Sequence, residues 1–280
     1  MIDPLRRALR APAVVLVCAL ALAAGAAAAP PAAAVQLESL TWTELAERIA
    51  GGATTVLVPI GGTEQNGPHM VLGKHNVRVK ALAELIARSL DRTLVAPVLA
   101  YVPEGSIEPP AAHMRFAGTI SIPEATFESL LDSTARSLRR HGFREVVLLG
   151  DHGGYQKSLE KVAARLNREW AKDPAAMRCR VHALAEFYRA SQSGYAELLG
   201  AKGFSAAEIG SHAGLADTSL ALAIDPALVR IDRLQQGAKA GERDGVYGDP
   251  RRASAELGQL GVDRIVATSV AAIRERTGRR

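Results

Sequence analysis

Glu64, Asn66, His69 and His75 fall within a dozen positions of one stretch, residues 59–76, that is punctuated by glycine and proline. A carboxylate, an amide and two imidazoles this close are oxygen and nitrogen donors of the kind that hold Zn²⁺ or Mn²⁺. Two further segments carry related chemistry: Asp151-His152-Gly153-Gly154-Tyr155, and residues 211–219 with His212 and Asp217. Should the three meet, Glu64, His75, His152 and Asp217 form a set of two imidazoles and two carboxylates able to surround one divalent ion. Glycines beside His152 would let backbone and substrate approach closely. His212 would then move protons, Asp217 would serve as fourth ligand or general base, and Asp151 would act as acid/base or orient its neighbour. Each histidine also has a plainer reading as a hydrogen-bonded structural residue, His69 beside Pro68 most of all.

The elements that must position these residues alternate between strand and helix. A β-branched run at 54–60 precedes the first segment, and residues 76–90 have apolar positions at helical spacing. Strands are expected at 93–101, 119–122, 145–149 and 178–186. Helices are expected at 44–50 with Thr43 as cap, from Pro123 to about 141, at 156–172, at 195–202, from about 216, and at 253–275 with a break near Gly261. Strands that alternate with helices of this length imply β-α units on a largely parallel sheet. Open sheets of that kind carry ligand sites in loops at the carboxyl ends of their strands, where all three segments fall. An irregular segment, 102–116, contributes His113, which can approach the pocket, and Glu104 and Glu108, either of which offers a lid or a replacement carboxylate.

Residues 1–34 read as a secretory signal. Arg6, Arg7 and Arg10 precede an apolar run, and Ala32-Ala33-Ala34 offers a cleavage point. The mature chain, 35–280, reads as a single domain that is periplasmic or secreted, with no membrane anchor after cleavage. Removing the signal takes three Arg and one Asp from 34 basic and 29 acidic residues, leaving a charge of about +3. That balance gives no reason to expect a nucleic-acid partner. Cys179 alone remains in the mature chain, so no internal disulfide is available, and its alternating surroundings make it a core residue.

The same loops carry a resemblance to the creatininase (creatinine amidohydrolase) family. Its hallmark P-x-G-s-x-E-Q-H-G-P-H-L-P-L-x-T-D is matched by residues 59–75, its N-G-H-G-G-N by residues 150–155, and its H-A-G-x-x-E-T-S by residues 212–219. Residues 116–122 and 245–250 resemble its F-P-G-T-x-s-l and G-V-x-G-D-P segments, so the likeness runs in order across roughly 40–275. The resemblance implies a three-layer α/β/α sandwich, assembly as a homo-oligomer, frequently a hexamer, and a two-metal site that hydrolyses C–N bonds of small, often cyclic, amides. It assigns metal binding to Glu64 and His152. Asn66 stands where the family has a metal-binding histidine, His75 where it has the bridging aspartate, Asp217 for a glutamate, and Tyr155 for an asparagine.

An imidazole has one lone pair and cannot bridge two ions as a carboxylate does. One Zn or Mn ion per subunit is therefore expected, held by Glu64, His75, His152 and Asp217, with Asn66, Tyr155 and Glu108 around a small-molecule amide. The competing reading is a catalytically silent member of the fold that binds a small molecule or acts as an oligomeric scaffold. A third keeps an enzyme but moves to ring-opening or carbohydrate chemistry.

Overall fold

The computed structural model describes residues 34–174 and 178–278. The expected export signal therefore lies outside the described residues except for Ala34. Four parallel strands, β1 (Thr55–Ile60), β2 (Thr93–Val95), β3 (Glu145–Gly150) and β4 (Arg180–Ala183), pair in the order β2-β1-β3-β4. β1 and β3 are central and read as nearly continuous apolar runs, because helices cover both faces of a parallel sheet. Their side chains alternate: Leu57, Val147 and Leu149 face one core, while Val56, Val58, Val146 and Leu148 face the other.

The second of these cores is closed by α1 (Trp42–Ala50), α3 (Glu124–Arg140) and α4 (Gln156–Trp170). The first is closed by α2 (Lys74–Leu90) together with α5 (Ala185–Arg189), α6 (Tyr195–Ala201), α7 (Ala206–Ile209), α8 (Leu215–Ile224) and α10 (Ala255–Thr277). A short α9 (Leu234–Ala240) lies between the last two in sequence. The result is the three-layer α/β/α sandwich with a parallel sheet that the sequence implies. No helix among the described residues is long and apolar enough to cross a membrane.

Several boundaries differ from expectation, each for a local reason. Thr41, not Thr43, caps α1, through a reciprocal capping box with Glu44. The expected strand at 93–101 ends at Val95, since Pro97 has no N–H to give the ladder, although Leu99 still donates to Pro59 O. Residues 119–122 form only an isolated bridge, Ile120 to Thr63. The expected strand at 178–186 is confined to β4, and α5 follows at once. α10 passes through Gly261 unbroken. Gly258 backs onto the Ser219 carbonyl of α8, and Gly261 onto Leu220 and the Tyr195 ring, so these glycines permit close helix contact rather than a stop. Most important for the site, α2 begins at Lys74, two residues early, which places Lys74, His75 and Arg78 on its buried face.

Candidate active site

At the carboxyl end of β1 the chain turns into a buried loop, and Glu64 becomes fully enclosed. Its carboxylate is the hub of the site. His75 Nε2 lies 2.8 Å from Oε1, His113 Nε2 3.1 Å from Oε2, His152 Nε2 3.4 Å from Oε2, and His212 Nδ1 3.7 Å from Oε1. The three distant segments do converge, and the irregular segment adds a fourth. Burial opposes ionisation of Glu64, but the His75 hydrogen bond and the surrounding imidazoles outweigh it and hold the carboxyl well below its ordinary range.

A second carboxylate, Glu104, is buried beside the first, with His152 Nδ1 3.5 Å from its Oε2. No other residue donates a hydrogen bond to either Glu104 oxygen or to Glu64 Oε2. Burial first, then the Glu64 charge and a hydrogen bond with Glu64, push the Glu104 carboxyl up to about 10, so that without a cation the two carboxyls share a proton. A cation could take that proton's place between them. Two groups of donor atoms fit one: Glu64, Glu104 and His152, and Glu64, His113 and His212, each with its ligand atoms within 4.8 Å of one another. Carboxylate oxygens and imidazole nitrogens suit Zn²⁺ or Mn²⁺.

His75 and Asp217, expected as ligands, are engaged elsewhere. His75 Nδ1 meets Asp151 Oδ2 at 2.6 Å while its Nε2 meets Glu64, so a carboxylate faces each ring nitrogen. Arg78 Nη2 also lies 3.1 Å from Nδ1, so both ring nitrogens are engaged by protein partners. Asp217 is mostly buried and takes Lys74 Nζ and the Ala213 N–H on Oδ2 and Arg78 on Oδ1 at 2.6 Å. Burial raises its pKa, but Lys74 and Arg78 outweigh that and hold it well below the ordinary range, which makes Asp217 a poor base as well as a poor ligand. Asp151 is likewise spoken for, accepting from Arg78 Nε at 2.9 Å and from His75, and it orients His75 instead of exchanging protons with substrate. The resulting chain of contacts runs Lys74–Asp217–Arg78–Asp151–His75–Glu64. Lys74 and Arg78 played no part in the sequence reading. Their signal was two cations at i and i+4 flanking His75 on what proves to be the apolar face of a helix.

The expected pocket residues are placed differently too. Asn66 is buried and turned into its own loop, donating to Glu64 O at 2.9 Å and Val71 O at 3.1 Å. The Tyr155 hydroxyl donates to the Ile60 and Gly61 carbonyls and accepts from the Asp151 and His152 amides, tying β1 to the second loop. Glu108 is exposed. None of the three lines the cavity of about 260 Å³ beside the histidines, which is walled by Lys74, His113, His152, Tyr188, Gln192 and Tyr247, among others. His69 is the structural residue the sequence suggested, bonded to Thr218 at 3.1 Å.

His212 Nε2 sits 3.0 Å from Gln65 O and 3.1 Å from Gln65 Nε2, so Gln65 holds that nitrogen in either tautomer while Nδ1 faces Glu64. Burial and then the Lys74 charge lower the His212 pKa to about 3, so the ring is neutral. His152 is held down at about 4, again chiefly by burial.

An α/β/α sandwich with a buried carboxylate ringed by imidazoles at its strand ends has the architecture of an α/β hydrolytic enzyme. The family model described as creatininase, creatinine amidohydrolase, matches residues 38–273, and the chain belongs to that family. A creatinine amidohydrolase of Pseudomonas putida is 30% identical over 70% of this chain and 74% of its own. A mycofactocin precursor peptide peptidase of Mycolicibacterium smegmatis (strain ATCC 700084 / mc(2)155) is 29% identical over 73% of this chain and 78% of its own. Among solved structures, one described as "Creatininase Mn" superposes with a TM-score of 0.73 at 28% identity, covering 87% of this chain and 99% of that one.

Proposed function

We propose that this chain is an exported, metal-dependent hydrolase that opens the C–N bond of a small amide, cyclic amides included. The observation that carries the reading is the buried pair Glu64 and Glu104, three of whose oxygens take no hydrogen bond from any other residue, beside four imidazoles. Glu64, Glu104 and His152 would hold one divalent ion per subunit, Zn or Mn, in place of the proton that the two carboxyls otherwise share. When bound, such an ion polarises the carbonyl and lowers the pKa of water.

The protein's own groups do the rest. The amide lies in the cavity under Lys74, whose ammonium is fixed by Asp217 and presents positive charge to a carbonyl oxygen. Tyr188, Gln192 and Tyr247 offer polar contacts that orient it. The water oxygen adds to the carbonyl carbon first; its proton is relayed through His212, whose low pKa makes it a transient carrier and a ready donor, to the amide nitrogen, and only then does the C–N bond break. His75, locked between Glu64 and Asp151, fixes the Glu64 carboxylate. The relatives named above act on creatinine or a precursor peptide. Here the ligand set has changed, so the proposal is a small amide without a named substrate. Homo-oligomerisation, a hexamer included, and a periplasmic or secreted location belong to the same proposal.

The second donor group, Glu64 with His113 and His212, supports an alternative in which His212 is a ligand. Metal analysis of the purified protein together with a screen of amides and lactams tests both. Stoichiometric Zn or Mn, lost with Glu104→Gln and kept with His212→Ala, is the expected result. Loss with His212→Ala selects the alternative. Absence of bound metal with no turnover of any amide returns the protein to a binding or scaffold role.

A further inference from the structure

The active site occupies the carboxyl ends of the strands; the opposite end of the sheet carries a groove of about 540 Å³ lined by Arg136, Arg139, Arg140, Arg144 and Arg178. These five come from separate places in the fold: the last turns of α3, the turn into β3, and the segment before β4. No carboxylate lines the groove. Asp132, Glu169 and Asp173 stand around it, but they are taken by Arg136, Arg139 and Arg165. Among the described residues Arg140, Arg144 and Arg178 have no acidic partner.

The plainest account is that cations at the end of α3 answer the negative end of its dipole. That covers Arg139 and Arg140 but not Arg144 or Arg178, which lie on other segments. It also leaves the cavity unexplained. One wall is fixed: Arg139 lies 5.0 Å over the Trp170 ring and is tied to Asp173 at 2.8 Å, and Arg136 is forked onto Glu169. The backbone at Arg144 is pinned on both sides, its N–H to Thr54 O and its carbonyl to Arg180 N. The floor is Phe143 and Cys179, both buried, so the guanidinium groups ring an apolar base.

We infer that this groove binds an oxyanion of the phosphate class. Guanidinium forks match the oxygens of phosphate and bind them through paired charge-assisted hydrogen bonds. Three uncompensated forks around one cavity suit a dianion better than a single carboxylate. The remaining volume admits the group to which a phosphate is esterified, so the same chemistry serves a free phosphate or a phospholipid headgroup.

Two probes separate those sources. Inorganic phosphate is titrated against the purified protein and followed by ³¹P line broadening; vesicles of phosphatidylglycerol are tested by co-sedimentation. Both are repeated with Arg140→Ala/Arg144→Ala/Arg178→Ala, whose thermal melt should match the parent because all three side chains are exposed. Saturable phosphate binding weakened at least about tenfold in the triple variant supports the site for free phosphate. Vesicle binding lost in the triple variant assigns it to a headgroup. If the parent binds neither probe, or the triple variant binds as the parent does, the inference is overturned. Phosphate held instead at the histidine cluster would give that last result, since these arginines do not touch it.

Discussion

At the scale of single residues, the site is governed by which buried charges have partners. Arg78 is the clearest case of full pairing: its guanidinium donates to Asp151 and to Asp217 at once, Asp151 being fully buried with it and Asp217 mostly so. Breaking such a cluster costs far more than the cluster contributes net, because orphaned charges stay behind. Arg78→Met should therefore destabilise the fold by about 3–5 kcal/mol in urea unfolding, and Asp217→Asn in that background should recover part of the loss. A variant as stable as the parent would show that the chain from Lys74 to Glu64 is not the structural spine described here. Glu104 is the opposite case, a buried carboxyl that has no cation beside it and is kept protonated against Glu64 by burial and the Glu64 charge. Glu104→Gln puts an amide N–H, which can still face Glu64, where the metal-free pair shares a proton. The metal-free variant should therefore stay within about 1 kcal/mol of the parent, while its affinity for Mn²⁺ or Zn²⁺ falls at least about tenfold. Calorimetric unfolding in chelator and a metal titration separate the two effects, and a loss in both would indicate that Glu104 has a purely structural role.

Elements were easier to foresee than the contacts between them. The alternation of apolar runs with helical periodicity disclosed the β-α units, and the turn chemistry around Pro59, Gly150 and Gly214 showed where loops leave the sheet. Glu64 and His152 were legible because short motifs carry them. The roles of His75 and Asp217 were not, since a residue type says which ligands it can be, not which partner reaches it first. Asp151 and Arg78 claimed one, Lys74 and Arg78 the other, through contacts up to 143 residues apart in sequence. Gly261 shows the same limit for backbone. Taken alone, glycine inside a helix weakens it, and a change to alanine should gain about 0.5–1 kcal/mol. Here Gly258 and Gly261 lie against α8 and Tyr195. Gly258→Ala and Gly261→Ala should each instead cost about 1–3 kcal/mol by overpacking, read as a lowered urea midpoint with unchanged slope. A gain in stability would mean that the helices separate freely.

For the molecule as a whole, the parallel sheet divides the work between its two ends. Every strand delivers its carboxyl end to one edge, so Glu64 after β1, His152 after β3 and His212 before α8 meet there, with Glu104 and His113 brought over them by the irregular segment after β2. These donors are far apart in sequence and come together only when the sheet is complete. An ion that binds them binds the folded chain and not the unfolded one. Mass action then adds RT ln(1 + [L]/Kd), about 2.7 kcal/mol when free metal stands a hundredfold above its dissociation constant. For a domain of this size each kcal/mol moves the melting temperature by roughly 2–4 °C, so saturating Mn²⁺ should raise it by about 5–10 °C over protein in chelator. The rise should grow with the logarithm of metal concentration once the site is saturated, and it should shrink sharply in Glu104→Gln. A melting temperature indifferent to chelator and to added Mn²⁺ or Zn²⁺ would leave the buried carboxylates facing each other for some reason other than metal, and the hydrolytic proposal would fall with them.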